Sequence, residues 1–255
     1  MINKSGFLAF AMAAVIFASG CGTTASSGGG TTTSLPVSSA ASAVGYLATA
    51  SVSYANASLF ISGTSSAGIS TKATAGTFVD GWLTMSHEDS MDGFGSFTYD
   101  LKAKLFGLVT GHIDSQAKLE EFIDSGDDLE KIYQYSVIEF DITSPEVASF
   151  TVTLGNSKLD PIKLEGLTTT PSVTGPASYS GTSGGETISV SMTYAGLTVN
   201  ASDDYPTGSV NFTVAAGATP AYSGTVAFNG TNTATITFSG GQIYTVDLIT
   251  GQVSS

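Results

Sequence analysis

The feature that most constrains this chain is an alternation with a period of two through its last quarter. In Thr187–Tyr194, Ser209–Ala215, Gly224–Asn229, Thr233–Phe238 and Gln242–Leu248, apolar residues alternate with serine, threonine or other polar residues. Successive side chains of a strand point to opposite faces, so such segments are satisfied as strands with one face buried. The links Asn229-Gly-Thr-Asn232 and Ser239-Gly-Gly-Gln242 supply the glycines that tight hairpins use. Together they predict an antiparallel meander whose outer face is largely threonine.

Earlier segments extend the pattern. Thr77–Ser86 and Phe94–Phe106 have strand character. In the second, Phe97, Tyr99, Leu101, Ala103 and Leu105 share one face, and Thr98, Asp100, Lys102 and Lys104 the other. His87-Glu-Asp-Ser-Met-Asp-Gly93 between them reads as a polar hairpin loop. Further strands are expected at Lys131–Ile142, where Ile132, Ile138, Phe140 and Ile142 share a parity, at Val147–Leu154 and at Pro161–Leu167. Only around 115–123 does the period become helical. There Leu119, Phe122 and Ile123 stand at i, i+3, i+4, with Asp114 or Ser115 as cap and Gly126 as stop. The stretch 45–58 fits helix and strand equally, and 63–76 reads as a loop. The expected fold is mainly β, an antiparallel curved sheet forming a half-barrel or sandwich, with one short helix near 115–123. Hydrophobic residues make up 42% of the chain, enough for a real core, and the single cysteine leaves no intramolecular disulfide to support it.

That cysteine, Cys21, ends a stretch of separate character. Lys4 provides a positive start, Gly6–Phe17 is apolar and uncharged, and Ala18, Ser19 and Gly20 are small. The apolar run is about a dozen residues, whereas a bilayer-spanning helix needs about 20. The segment resembles a bacterial lipoprotein signal, with Ala18-Ser19-Gly20-Cys21 in the place of the lipobox and Ala18 where leucine is commonest. The resemblance implies that residues 1–20 are a signal peptide, and that Cys21 becomes the N-terminus carrying a diacylglyceryl thioether and an amide-linked acyl chain such as palmitate. Gly22 in place of aspartate implies the outer membrane of the cell. Residues 21–44, rich in Ser, Thr and Gly, read as the lipidated cysteine and a flexible tether, and 45–255 as a single β-rich domain. The closing Tyr244-Thr-Val-Asp-Leu-Ile-Thr-Gly251 is similar to the last hairpin of β-rich envelope lipoproteins of uncharacterised function. That resemblance implies a curved open sheet with a helix in its concavity.

The net charge is −13, and the eight basic residues are all lysines. Gripping phosphate backbones needs clustered cations, so nucleic acid, heparin-like polymers and anionic headgroups are expected to be poor partners. Gly181-Thr-Ser-Gly-Gly185 has the letters of a nucleophile elbow, but a strand rather than a helix follows it, and a turn is expected. The two histidines, His87 and His112, are tied to no serine and are too few for a zinc centre. Glu88, Asp89 and Asp92 are a candidate calcium site, as are the acids of Asp124–Glu130, although neither group has EF-hand spacing. Trp82, the single tryptophan, is expected in the core or at a sheet edge. No catalytic residue and no cofactor are expected. The expected role is a lipid-anchored cell-envelope protein that binds or scaffolds without catalysis. Its membrane contact is made through the N-terminal lipid, and the sequence specifies no protein or small-molecule ligand. Two alternatives are a lipid- or lipoprotein-handling protein with an apolar cavity in a curved sheet, and a surface-displayed adhesin-like module.

Overall fold

The computed structural model describes residues 35–63, 77–91, 95–107, 111–144, 147–183, 186–199, 204–217 and 219–255. The signal-like segment with Cys21, the first part of the expected tether and most of the expected loop at 63–76 lie outside them. Two helices, α1 (Val37–Gly63) and α2 (Gln116–Ser125), accompany one 14-stranded sheet whose paired strands are all antiparallel. Its first strands are β1 (Thr77–Val79), β2 (Trp82–Met91), β3 (Gly95–Gly107), β4 (Gly111–Ile113) and β5 (Leu129–Ser144). The middle ones are β6 (Val147–Leu154), β7 (Ile162–Glu165), β8 (Ser172–Ser183), β9 (Glu186–Thr198) and β10 (Thr207–Ala216). The last are β11 (Thr219–Asn229), β12 (Thr233–Phe238), β13 (Ile243–Asp247) and β14 (Val253–Ser254).

The order across the sheet is β1-β2-β3-β5-β6-β8-β9-β10-β11-β12-β13-β14, with β4 against β3 and β7 against both β5 and β8. Strands β6 and β7 occupy one lane. Leu154 of β6 pairs with Ser136 of β5, and Ile162 of β7 pairs with Gln134, two residues further along the same edge. The seven residues from Gly155 to Pro161 leave that lane as a tight excursion. Gly155 makes the exit possible: its φ is 75°, and a Cβ there would stand 2.7 Å from the Gln134 carbonyl oxygen.

The expected strand parities hold where burial is described. Val210, Phe212 and Val214 of β10 and Ala234, Ile236 and Phe238 of β12 are buried, while Thr235 and Thr237 face out. In β3 Ala103, Leu105 and Gly107 are buried, and Thr98 and Asp100 are exposed. The short helix also stands where its period put it: Ser115 caps α2 by accepting from the Lys118 amide, and Gly126 ends it at φ 73°.

Three expectations need correction. The hairpin loop assigned to 87–93 is mostly strand, since β2 runs through Met91 in register with β3. Residues 37–44, assigned to the tether, belong to α1, and Ala40, Ala41, Ala43 and Val44 are buried. The short helix is therefore not alone: α1 has 27 residues and settles 45–58 as helical. Pro36 suits its start, having no amide to leave unpaired in the first turn, and its carbonyl accepts from Ser39 and Ala40.

The sheet curls around α1. Strands β5 and β14, fourth and last in the sheet order, both touch the helix, as do β9, β11, β12 and β13. Laid flat, eight strand spacings of ~4.8 Å would spread far beyond a helix ~10–12 Å wide. A helix enclosed on most sides must be apolar or small on most sides. Leu47, Ala48, Ala50, Val52 and Ala55 are all buried. Gly45 lets the turn at Gly251 come close, since a Cβ on it would lie 2.7 Å from the Gly251 carbonyl oxygen.

A polar layer lies where α1 meets β5 and β9. The Ser51 hydroxyl lies 2.8 Å from the Leu47 carbonyl oxygen, to which it can donate, and 3.0 Å from the Tyr194 hydroxyl. Tyr54 donates to Gln134 Oε1, and Gln134 Nε2 donates to Ser136 Oγ at 2.7 Å. Burial pushes the Tyr194 hydroxyl up to about 12, against a smaller lowering by its bond to Ser51, and raises Tyr54 and Tyr179 as well. An unfolded tyrosine ionises near pH 10, so between about 10 and 12 the unfolded chain releases protons that the folded chain keeps. Stability is complete below about pH 10 and falls as the pH rises towards 12. The melting temperature should therefore be flat at neutral pH and drop above about pH 10, with the phenolate absorbance of these three tyrosines appearing only as the protein unfolds.

Candidate functional site

The first half of the sheet presents an outer face on which lysines and aromatic rings alternate. Its inner face carries Ala103, Leu105, Ile132, Ile162 and Leu164, all in the core. Alternation therefore sends Lys102, Lys104 and Phe106 of β3, Lys131, Tyr133 and Tyr135 of β5, and Lys163 of β7 outward. Cross-strand register sets them beside one another. Lys104 pairs with Tyr133 and Tyr133 with Lys163, Phe106 pairs with Lys131, and Lys102 pairs with Tyr135. Trp82 stands one step beyond the Leu83↔Ala103 pair, next to Lys104.

The ammonium groups lie over the rings. Lys131 Nζ is 4.8 Å from the Phe106 centroid and 5.9 Å from that of Tyr133, and Lys163 is 5.4 Å from Tyr133. Lys102 is 5.4 Å from Tyr135, while Lys104 and Lys158 stand 5.9 and 6.0 Å from Trp82. Phe106 and Tyr133 also pack on each other, with centroids 5.0 Å apart. These are cation–π distances, and the lysine stems cover the rings from solvent. Trp82 is buried yet stands outside the main core cluster, beneath two lysines on the outer face.

The excursion brings Lys158 to this face and is held tightly. Ser157 Oγ accepts from the amides of Leu159 and Asp160, and Asn156 Nδ2 donates to Asp160 Oδ2 at 2.8 Å. At its tip Leu159 is 98% exposed.

Five of the six lysines among the described residues share this face, and no lysine follows Lys163 in the chain. Lys102 pairs with Asp100. Glu165 accepts from the Tyr133 hydroxyl at 2.9 Å, and burial, this bond and the charges of Glu165 and Glu130 raise the Tyr133 pKa. Among the described residues no carboxylate lies within ion-pair distance of Lys104, Lys131, Lys158 or Lys163. In a chain with 21 acidic residues, four unpaired ammonium groups in one patch are a concentrated exception. Carboxylates do stand beside the patch, Asp100 at Lys102, Glu165 and Glu130 around Tyr133 and Asp160 in the excursion. Charges more than about 10 Å away are largely screened at 0.1 M salt, so the remainder of the −13 bears on it little.

The residues singled out from the sequence fall elsewhere. Cys21 and Asp92 lie outside the described residues. Glu88 and Asp89 are consecutive positions of β2, in register with Thr98 and Phe97 of β3. No group of three or more His, Cys, Asp or Glu residues able to hold a metal ion occurs among the described residues. Ser183, in the elbow-like Gly181–Gly185, is at the end of β8 and pairs with Glu186, the first residue of β9. His87 pairs with Tyr99 and His112 with Phe106 along β3. No described helix is long and apolar enough to cross a membrane. Compared with known protein families, curated proteins and solved structures, the chain matches none.

Proposed function

We propose that this protein is a lipid-anchored component of the cell envelope, held at the outer membrane through Cys21, whose domain binds or scaffolds without catalysis. The observation that carries the reading is the run from Lys4 to the single cysteine: a positive start, a short apolar stretch and small residues before Cys21. Thirteen residues separate Cys21 from Leu35, where the described domain begins, so an anchor and a folded domain follow each other directly. The interior supports contact from outside rather than within. Helix α1 occupies the concave side of the sheet, where an apolar ligand such as a lipid chain would otherwise lie. Among the described residues the outer face offers ammonium groups and aromatic rings.

The anchor is tested by Cys21→Ala. The wild type should sediment with membranes and take up labelled palmitate, and the variant should do neither. A variant that still fractionates with membranes would remove the lipid anchor from the account.

A further inference from the structure

We infer that the lysine–aromatic face docks on a bilayer surface carrying anionic lipid headgroups, and so fixes how the domain stands on its membrane. The inference rests on the lipid anchor proposed above. Its own support is the composition of the face. Four ammonium groups there have no carboxylate partner among the described residues, in a chain whose acids outnumber its cations 21 to 8. Their stems lie along half-buried aromatic rings, and the combination of amphipathic rings with long-stemmed cations suits the headgroup layer, apolar below and charged above. Leu159 supplies what a purely electrostatic patch would lack. It is 98% exposed, next to Lys158, at the tip of an excursion pinned by its own hydrogen bonds, and can enter the acyl boundary without unfolding anything. The thirteen residues between Cys21 and Leu35 could span up to about 45 Å, so the face can reach the bilayer that holds the lipid. Tethering makes the encounter intramolecular, which lets a patch too weak to recruit a free protein stay occupied. The sequence-based expectation of poor affinity for anionic headgroups averaged the charge over the whole chain. The fold instead gathers the sheet's lysines on one side.

Trp82, the single tryptophan, lies within this face and serves as the probe. The full lipidated protein is reconstituted into phosphatidylcholine vesicles with and without phosphatidylglycerol, each containing lipids brominated near the top of the acyl chain. Flotation reads the anchor, and quenching of Trp82 reads the face. The inference expects flotation with both vesicle types. It expects strong quenching only with phosphatidylglycerol, relieved at about 0.5 M salt, where the screening length shrinks to a few ångströms. In the Lys131→Gln/Lys163→Gln protein the phosphatidylglycerol content needed for half-maximal quenching should rise severalfold, with an unchanged melting temperature. Leu159→Ser should weaken quenching while keeping its salt dependence. Floating protein without quenching, or with equal quenching on neutral vesicles or in the lysine variant, overturns the docked face and leaves the anchor standing. Protein that does not float overturns both. Relief of quenching by polygalacturonate at the charge concentration of the accessible lipid would assign the face to an acidic glycan and overturn the bilayer.

Discussion

Phe238→Ala should lower the stability of the domain by about 4 kcal/mol, as expected for emptying a fully packed aromatic site. Phe238 is 2% exposed and is the hub of the aromatic cluster inside the second half of the sheet. Phe212, Tyr222 and Tyr244 each meet it edge-on, at centroid distances of 5.3, 5.8 and 5.9 Å. Edge-to-face pairs add roughly 0.5–1.5 kcal/mol each beyond buried area, and alanine removes three at once. The Tyr222 ring is held from its other end, since its hydroxyl donates to the Leu35 carbonyl at 2.7 Å just before α1. It cannot readily collapse into the space. For a domain of this size the loss corresponds to a fall of about 10–15 °C in melting temperature. Phe238→Leu, which keeps most of the volume, should cost well under half as much. Equal melting curves for Phe238→Ala and the wild type would show that β10–β13 do not close on this cluster.

The second large effect is at Gly45, and there the sign carries the information. Within a free helix, glycine to alanine is stabilising by about 1 kcal/mol. In this fold a Cβ at residue 45 would stand 2.7 Å from both the Gly251 carbonyl oxygen and Val253 Cγ1, and 3.3 Å from Val246 Cγ2. The opposing surface cannot retreat easily. Gly251 is itself in the left-handed region at φ 74° and its own missing Cβ would strike Tyr46 at 2.5 Å, so helix and turn approach through two glycines. Gly45→Ala should destabilise despite its propensity, and Gly45→Val should cost about 3 kcal/mol. Urea titrations measure both. Stabilisation by Gly45→Ala would mean that the β13–β14 hairpin does not rest on the helix.

These residues also show what could be read from the chain alone. The strands of the last quarter were legible because alternation is local: Ala234, Ile236 and Phe238 announce an inner face within six residues, and the intervening threonines the outer one. Helix α2 was legible because it is half-exposed and must show a stripe, with Ser115 and Gly126 marking its ends. Helix α1 was not. Enclosure by the sheet removes the polar face that makes a helix recognisable, and close packing demands Ala, Ser and Gly, which in isolation read as a tether. Leu35, Ala40, Ala41, Ala43 and Val44 therefore read as linker although they are buried. The sheet does curl around a helix, but that helix is α1, not the one near 115–123 that the sequence singled out.

The lysine–aromatic face shows the opposite limit. Lys102 and Lys104 were correctly put on the polar side of β3, but a polar side is only half of a site. What makes it a patch is that Tyr133 of β5 pairs with both Lys104 and Lys163, residues 29 before and 30 after it in the chain. Strand order is a long-range property that the period of two does not contain. Trp82, expected in the core or at an edge, is buried outside the core cluster, with the ammonium groups of Lys104 and Lys158 near its ring.

The proposed outer working face depends on one structural feature: the concave side of the sheet is filled by the chain's own helix. Hydrogen–deuterium exchange of the α1 amides tests it most directly. Enclosed by β5, β9 and β11–β14, the amides of Ala43–Val52 should exchange with the slowest class, alongside those of β10 and β12, and open only with global unfolding. Exchange of those amides at the rate of a free peptide, while β10 and β12 stay protected, would contradict it: the concavity would then be open, and a ligand held inside the sheet would replace the outer face as the working surface.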